Sequence, residues 1–269
     1  MMGRVICVAN QKGGVGKTTT AVNLASCMAL AERRTLLIDI DPQANASSGL
    51  GIRLGAGEPS VYDLLLKRAR LESLVRSTLL QHLDVIPSSQ DLVAAEIEFV
   101  SFQARERVLA SGIESIRHHY DYVFIDCPPS LGFLTVNALV AADTVLVPVQ
   151  CEYYALEGVG KLVQTIRRVQ SGFNRSLAIE GFLLTMFDPR NNLSHQVVQD
   201  VRKHFAAKVF GTIIPRNVKL SEAPSFGKPV VLYDITSRGA TTYLSLAKEI
   251  MDAEVTGDKQ AAYSLGTGT

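Results

Sequence analysis

Residues 5–20 read Val5-Ile6-Cys7-Val8-Ala9-Asn10-Gln11-Lys12-Gly13-Gly14-Val15-Gly16-Lys17-Thr18-Thr19-Thr20. A short apolar run, a glycine-rich turn and a segment of helical character follow one another, so the stretch specifies strand, loop and helix in that order. Gly13, Gly14 and Gly16 let the backbone curl until successive N–H groups point inward, and the new helix presents its positive end to the same place. Such a loop cradles phosphate. Lys17 can then neutralise β- and γ-phosphates, and the Thr18 hydroxyl can ligate Mg²⁺. The pattern departs from G-x-x-x-x-G-K-[ST] because Gln11 stands five before Gly16 and a second lysine, Lys12, stands at the loop entrance. Gly-Gly turns also occur without ligands. Here strand, loop, Gly-Lys-Thr-Thr and helix coincide, which selects nucleotide binding over Gln11–Thr19.

Two acidic segments lie where a phosphate-loop enzyme needs them, at the carboxyl ends of strands able to lie beside the first. Ile125-Asp126-Cys127-Pro128-Pro129 places Asp126 after an apolar strand, suited to hold Mg²⁺ directly or through water. Asp39 and Asp41 alternate along Leu37-Ile38-Asp39-Ile40-Asp41-Pro42-Gln43, and Pro42 stops the ladder. Phosphoryl transfer needs mostly positioning, so Asp41 is assigned to orient water, with a water-mediated metal contact as its second role. Asp39 is assigned as a structural partner near Lys17.

Outward from this centre, β-branched runs alternate with longer helical segments, predicting strands at 4–9, 35–39, 83–87, 121–126, 144–149, 179–186 and 209–214. Helices are predicted at 17–33, 102–119, 131–142, 155–171, 194–206 and 239–252. Near-continuous apolar strands imply cover on both faces. The expected fold is therefore α/β and three-layered: a mostly parallel, twisted sheet of about 7–8 strands flanked by helices, like a P-loop NTPase. No linker or repeat divides the 269 residues, so one domain is expected over 1–255, with 256–269 a frayed tail.

Composition narrows the classes further. Lys plus Arg is 27 against 26 Asp plus Glu, a net +1, so any nucleic-acid surface must be local. Hydrophobic residues at 47% with no run of membrane-spanning length describe a soluble protein, and Asn10 and Gln11 interrupt the first apolar run before a signal core could form. Cys7, Cys27, Cys127 and Cys151 form no C-x-x-C pair and are read as reduced thiols of a cytoplasmic protein. The five histidines lack metal-ligand spacing. Between Arg190 and Lys228, seven cations face Asp200 and Glu222, a local +5 that leaves −4 for the rest. A polarised chain of this kind can meet a phosphate backbone with one face, and a dimer would double that face. No aromatic ladder or recognition helix accompanies it, which points to sequence-independent contact with duplex DNA, although basic runs also occur as merely solvated faces.

The motifs together resemble the deviant Walker A ATPases, and among them the ParA/Soj partitioning proteins, over residues 3–252. The resemblance rests on Lys12-Gly13-Gly14-Val15-Gly16-Lys17-Thr18-Thr19, Asp39 to Gln43, Ile86-Pro87-Ser88-Ser89, Asp126 to Ser130 and Ile214 to Ser225. It implies that Lys12 reaches across a dimer interface to the partner's ATP, so that two monomers sandwich two nucleotides. It implies phosphate and Mg²⁺ roles for Lys17 and Thr18, a hydrolytic role for Asp41, and an adenine site at Met186 and Pro215-Arg216-Asn217. Arg190 and Lys219, with Arg216, match DNA-contacting positions. ATP hydrolysis would be slow until a ParB/Spo0J-like partner and DNA engage the dimer, and the protein would associate with the nucleoid.

Three rival readings fit less well. A membrane-bound MinD-like relative needs a basic amphipathic C-terminal helix, whereas Lys248 to Glu254 is acidic. A redox carrier needs cysteines that converge on a cluster. A P-loop ligase or kinase shares the loop but differs in its acceptor, and a positioning ATPase for non-DNA cargo differs only in its partner.

Overall fold

Along β1 (Arg4–Val8), alternate side chains enter two separate cores: Val5 and Cys7 on one face of the sheet, Ile6 and Val8 on the other. The computed structural model describes residues 2–99, 102–153 and 155–265, with the side chains of 96, 97, 157, 207 and 255–265 outside the description. Among them the remaining strands are β2 (Thr35–Asp39), β3 (Arg76–Ser77), β4 (Leu83–Ile86), β5 (Tyr122–Asp126), β6 (Thr144–Gln150) and β7 (Ala178–Thr185). They form one seven-stranded sheet in the order β3-β4-β2-β5-β1-β6-β7, parallel except where β3 pairs antiparallel with β4. β1 therefore lies between β5 and β6, and the loop that follows it opens at the carboxyl edge of the sheet, where such folds bind ligands.

One face is covered by the helix Lys17–Leu30 and the C-terminal helix Arg238–Leu265, whose Leu24, Met28, Tyr243 and Leu246 pack on Ile6, Leu37 and Phe124. The other carries Val108–Ile116, Phe133–Ala141, Ala155–Gly172 and Asn192–Phe205. Three layers result, as expected from strands with no polar face. Buried polar atoms on the Lys17–Leu30 helix are matched: Asn23 accepts from the Val230 N–H at 2.7 Å, and Thr20 shares a 3.1 Å hydrogen bond with the Tyr243 hydroxyl.

Several boundaries differ from expectation. The segment 209–214 is not a strand of the sheet. Phe210 and Ile214 donate to the Phe182 and Leu184 carbonyls of β7, but the intervening N–H groups of Gly211 and Thr212 turn to the Glu249 carboxylate at 2.7 and 3.0 Å. With those donors taken by the C-terminal helix, the ladder is reduced to isolated bridges at Val209 and Pro215. The helix expected over 102–119 is confined to Val108–Ile116, with 3₁₀ turns at Arg105–Arg107 and Arg117–His119. The helix expected to stop at 252 continues to Leu265 in its backbone, over part of the segment expected to fray; residues 266–269 lie outside the described residues. The four cysteines are free and buried, and Cys7 and Cys127 approach to 3.3 Å between sulfurs across β1 and β5. No helix among the described residues is long and apolar enough to cross a membrane.

Candidate active site

The loop after β1 adopts the left-handed backbone its glycines permit: Gly14 has φ +73° and Gly16, which precedes the helix, φ +88°. A Cβ at Gly16 would lie 3.9 Å from Thr185, whose hydroxyl donates to the Val15 carbonyl at 2.8 Å and so ties the loop to the end of β7. Asn10, 3% exposed, fixes the loop entrance by donating to the Pro148 carbonyl and accepting from the Lys12 N–H. Lys17 is 6% exposed and donates to the Lys12 carbonyl at 3.0 Å. Burial pushes its ammonium below the ordinary lysine value against the opposing pull of Asp126 and Asp41. Lys17 thus lies inside the cradle, while Lys12 lies at its lip with its Nζ 3.6 Å from the Glu152 carboxylate.

Asp39, Asp41 and Asp126 meet at the carboxyl edge, with Asp39 and Asp126 in register on β2 and β5. Asp39 is fully buried and accepts from the Asp41 N–H at 3.1 Å, the Ser47 N–H at 2.8 Å and the Ser47 hydroxyl at 2.7 Å. Burial raises its pKa to about 6, partly offset by the Ser47 donors. Its structural role is directed at the loop that carries Asp41 and not at Lys17. Asp41 accepts from the Gln43 N–H through its carboxylate and from the Ser88 hydroxyl through its carbonyl. Ser88 also donates its N–H to Ser47, which closes the network between the ends of β2 and β4.

Asp126 differs from the others. It is fully buried, and among the described residues neither carboxylate oxygen has a hydrogen-bond partner. Burial and the neighbouring Asp39 hold its pKa well above the carboxylate range, with the Thr18 hydroxyl and the Lys17 ammonium pulling the other way. An orphaned buried carboxylate beside a hydroxyl fits a hard divalent cation. Among the described residues no cluster of three or more His, Cys, Asp or Glu could hold a metal unaided, so Thr18 and Asp126 would supply only part of a ligand set, the rest falling to phosphate and water.

The expected base-side loop assembles beside this centre. Met186 takes a left-handed turn at φ +53°, the Phe187 N–H donates to the Ile214 carbonyl and the Arg216 N–H to the Phe187 carbonyl. Pro215, Arg216 and Asn217 are thereby set against the end of β7 that holds Val15. Asn217 caps the short helix Val218–Glu222 by accepting from the Lys219 N–H. The Arg216 guanidinium lies 3.8 Å from Glu152.

The basic residues expected to meet DNA stand on the surface as ion pairs. Arg190, 88% exposed, makes a two-pronged pair with Asp188, whose pKa falls to about 2 under that guanidinium, with Arg216 contributing. Lys219 pairs with Glu222 at 2.9 Å and stands over the Tyr233 ring at 5.5 Å. Sequence reasoning did not single out Asn10, Ser47, Thr185 or Glu152. Each acts through partners distant in the chain, and the one available signal is that Asn10 and Glu152 directly follow strands that run to the same edge.

A family model described as an AAA domain matches residues 3–179. The chain is 56% identical over 249 residues to the sporulation initiation inhibitor protein Soj of Bacillus subtilis, covering 93% of this chain and 98% of the relative. It is 55% identical over 250 residues to the chromosome partitioning protein ParA of Myxococcus xanthus, covering 93% and 88%. Among solved structures, cobyrinic acid a,c-diamide synthase of Mycobacterium smegmatis with bound ADP and magnesium superposes with a TM-score of 0.84 at 35% identity, over 95% of this chain and 97% of that one. The septum site-determining protein MinD of Pyrococcus horikoshii, complexed with Mg-ADP, gives 0.77 at 27%, over 93% and 96%. On the phosphate loop, the acidic edge and this identity along nearly the whole chain, the protein belongs to the ParA/Soj family of chromosome-partitioning ATPases.

Proposed function

We propose that this chain is an ATP-driven DNA-partitioning switch: ATP and Mg²⁺ close a homodimer, the dimer holds duplex DNA without sequence preference, and hydrolysis stimulated by a ParB/Spo0J-like partner releases it. The observation that carries the reading is the position of the two lysines, Lys17 inside the cradle and Lys12 at its lip with its ammonium against Glu152. The second supports service to another copy, because its ammonium lies outside the cradle against a half-exposed carboxylate. In this reading the loop N–H groups and Lys17 bind the β- and γ-phosphates, and Thr18 and Asp126 hold the metal, which supplies charge neutralisation on the phosphate oxygens. Asp41, kept in place by Asp39 and Ser88, aligns the attacking water. Lys12 from the partner offsets charge that develops during transfer, an in-trans contribution that for arginines amounts to roughly 10³–10⁵ in rate. Arg190, Arg216 and Lys219 supply phosphate contacts to DNA, which would keep the protein on the nucleoid in the cytoplasm.

The likeness to cobyrinic acid a,c-diamide synthase keeps an amide-forming ligase as the second reading. Identity of 55–56% to partitioning proteins against 35% to the synthase favours DNA as the effector. Sedimentation with ATP, with ADP and without nucleotide, each with and without duplex DNA, tests the switch. An ATP-specific dimer that alone retains DNA is expected; a monomer with ATP, or equal DNA binding in every state, would refute it. Gly13→Val sharpens the result, because a Cβ there meets Pro129 only at 3.8 Å within the monomer. ATP binding should survive while dimerisation is lost, as sedimentation of the ATP-loaded variant would reveal.

A further inference from the structure

Glu152, just beyond β6, carries three contacts: Lys12 at 3.6 Å, Arg216 at 3.8 Å, and the Gln150 side-chain amide, which donates to it at 2.6 Å. No other acid pairs with either cation among the described residues. The surroundings favour this arrangement. The Lys12 backbone is pinned by Asn10, and the helix Ala155–Gly172 comes close enough that a Cβ at Gly158 would lie 3.8 Å from the Lys12 Cβ and 3.5 Å from Asn10. While the pair is made, the Lys12 ammonium is held within its own subunit.

We propose that Glu152 is a positioning residue that parks Lys12 within its own subunit and sets the threshold for dimer closure. The inference rests on the in-trans role given to Lys12 above. To serve a neighbouring copy, the Lys12 ammonium must leave the Glu152 carboxylate, so the pair stabilises the separate monomer against the dimer. Arg216 shares the same carboxylate through its other oxygen, so each cation weakens the hold on the other. Engagement of Arg216 by this carboxylate and release of Lys12 are consequently linked: whatever draws Arg216 away from Glu152 leaves the carboxylate to Lys12, and loss of Lys12 leaves it to Arg216. The pair is half exposed, with side-chain exposures of 35% for Lys12 and 47% for Glu152, which limits the effect to that of a surface ion pair.

Glu152→Gln removes the charge while retaining an acceptor for Gln150, and its half-exposed position spares the fold. Two readouts test the proposal. The first is the rate at which a small amine-acylating reagent labels Lys12 in the nucleotide-free monomer, read by mass spectrometry against Lys67 of the same chain. The substitution should raise it about two- to fivefold, and an unchanged rate overturns the parked pair. The second is the concentration at which ATP-loaded chains dimerise, measured by sedimentation. It should fall about two- to fivefold in Glu152→Gln; an unchanged or higher value overturns the threshold, the higher value indicating that the carboxylate works across the dimer. If the unsubstituted chain stays monomeric with ATP, the dimer reading itself fails, and the labelling ratio still reports separately on the pair.

Discussion

The carboxyl edge of the sheet and the segment from Met186 to Lys228 both carry the charges that matter for function, and they hold them by different means. At the edge, Asp39 is fully buried and takes three hydrogen bonds from Asp41 and from Ser47 in the short helix Asn45–Gly49, a segment braced again by Ser88. In the basic segment Arg190 and Lys219 each lean on one acid two or three residues away, in solvent. Buried networks set geometry, because an unmatched group there is costly; exposed pairs yield to salt and to any better partner. The first arrangement suits a reaction that tolerates little displacement. The second suits the proposed role of a surface that takes hold of DNA and lets it go.

The largest expected effect is at the rigid end. Lys17 is a buried cation between the Lys12 carbonyl and the acids Asp126 and Asp41, so Lys17→Ala should reduce ATP affinity by at least about 100-fold, on the scale of 3–5 kcal/mol for removing one partner of a buried charged set. Titration calorimetry with ATP and Mg²⁺ measures it. Retained affinity would mean that the backbone cradle alone binds the triphosphate. Asp41→Ala should separate binding from chemistry: turnover falls roughly 10²-fold or more while ATP is retained and dimer accumulates on DNA. A variant that also loses ATP would show Asp41 to be a nucleotide ligand.

Smaller, and a test of the bracing itself, is Ser47→Ala. It deletes the hydroxyl that donates to Asp39 at 2.7 Å and accepts from the Ser88 N–H at 3.1 Å, and leaves two buried groups short of a partner. A loss of about 1–3 kcal/mol is expected, with the melting temperature lower by about 2–4 °C for each kcal/mol. Thermal unfolding measures the loss. A stability equal to the parent would mean that Asp39 is satisfied by main-chain donors and that the loop carrying Asp41 is not tensioned by this network.

The same division explains what could be read without coordinates. Strand β1, the glycines and Lys17-Thr18 are consecutive, so their spacing alone conveys strand, cradle and helix, and the two left-handed glycines lie where a phosphate loop needs them. Asp126 and Asp39 were legible because each ends an apolar strand. Contacts across long sequence separations were not: Ser47 with Ser88, Cys7 with Cys127, and Glu152 with both Lys12 and Arg216 depend on which strand ends become neighbours. The segment 209–214 misled for a related reason. Its apolar run has strand character, but Glu249 on the last helix captures two of the N–H groups a ladder would use.

The smallest effects are expected at the basic surface, and they bear directly on the difference between the two regions. On the proposed reading Arg190 and Lys219 would exchange a neighbouring acid for a DNA phosphate, so each contact in the complex would replace one already made, and the net gain per residue would be modest. A dimer presents every residue twice. Removing one phosphate contact per chain therefore lowers the slope of log affinity against log salt by up to about 1.8, from 0.9 per phosphate. Arg190→Ala and Lys219→Ala should each weaken duplex binding about three- to tenfold at moderate salt, equally for unrelated sequences, and leave ATP affinity and the dimer unchanged. Titrations over several salt concentrations with two unrelated duplexes read both quantities. A loss confined to one duplex would mean that a base edge is being read, and an unchanged slope in the double variant would move the DNA surface away from this segment.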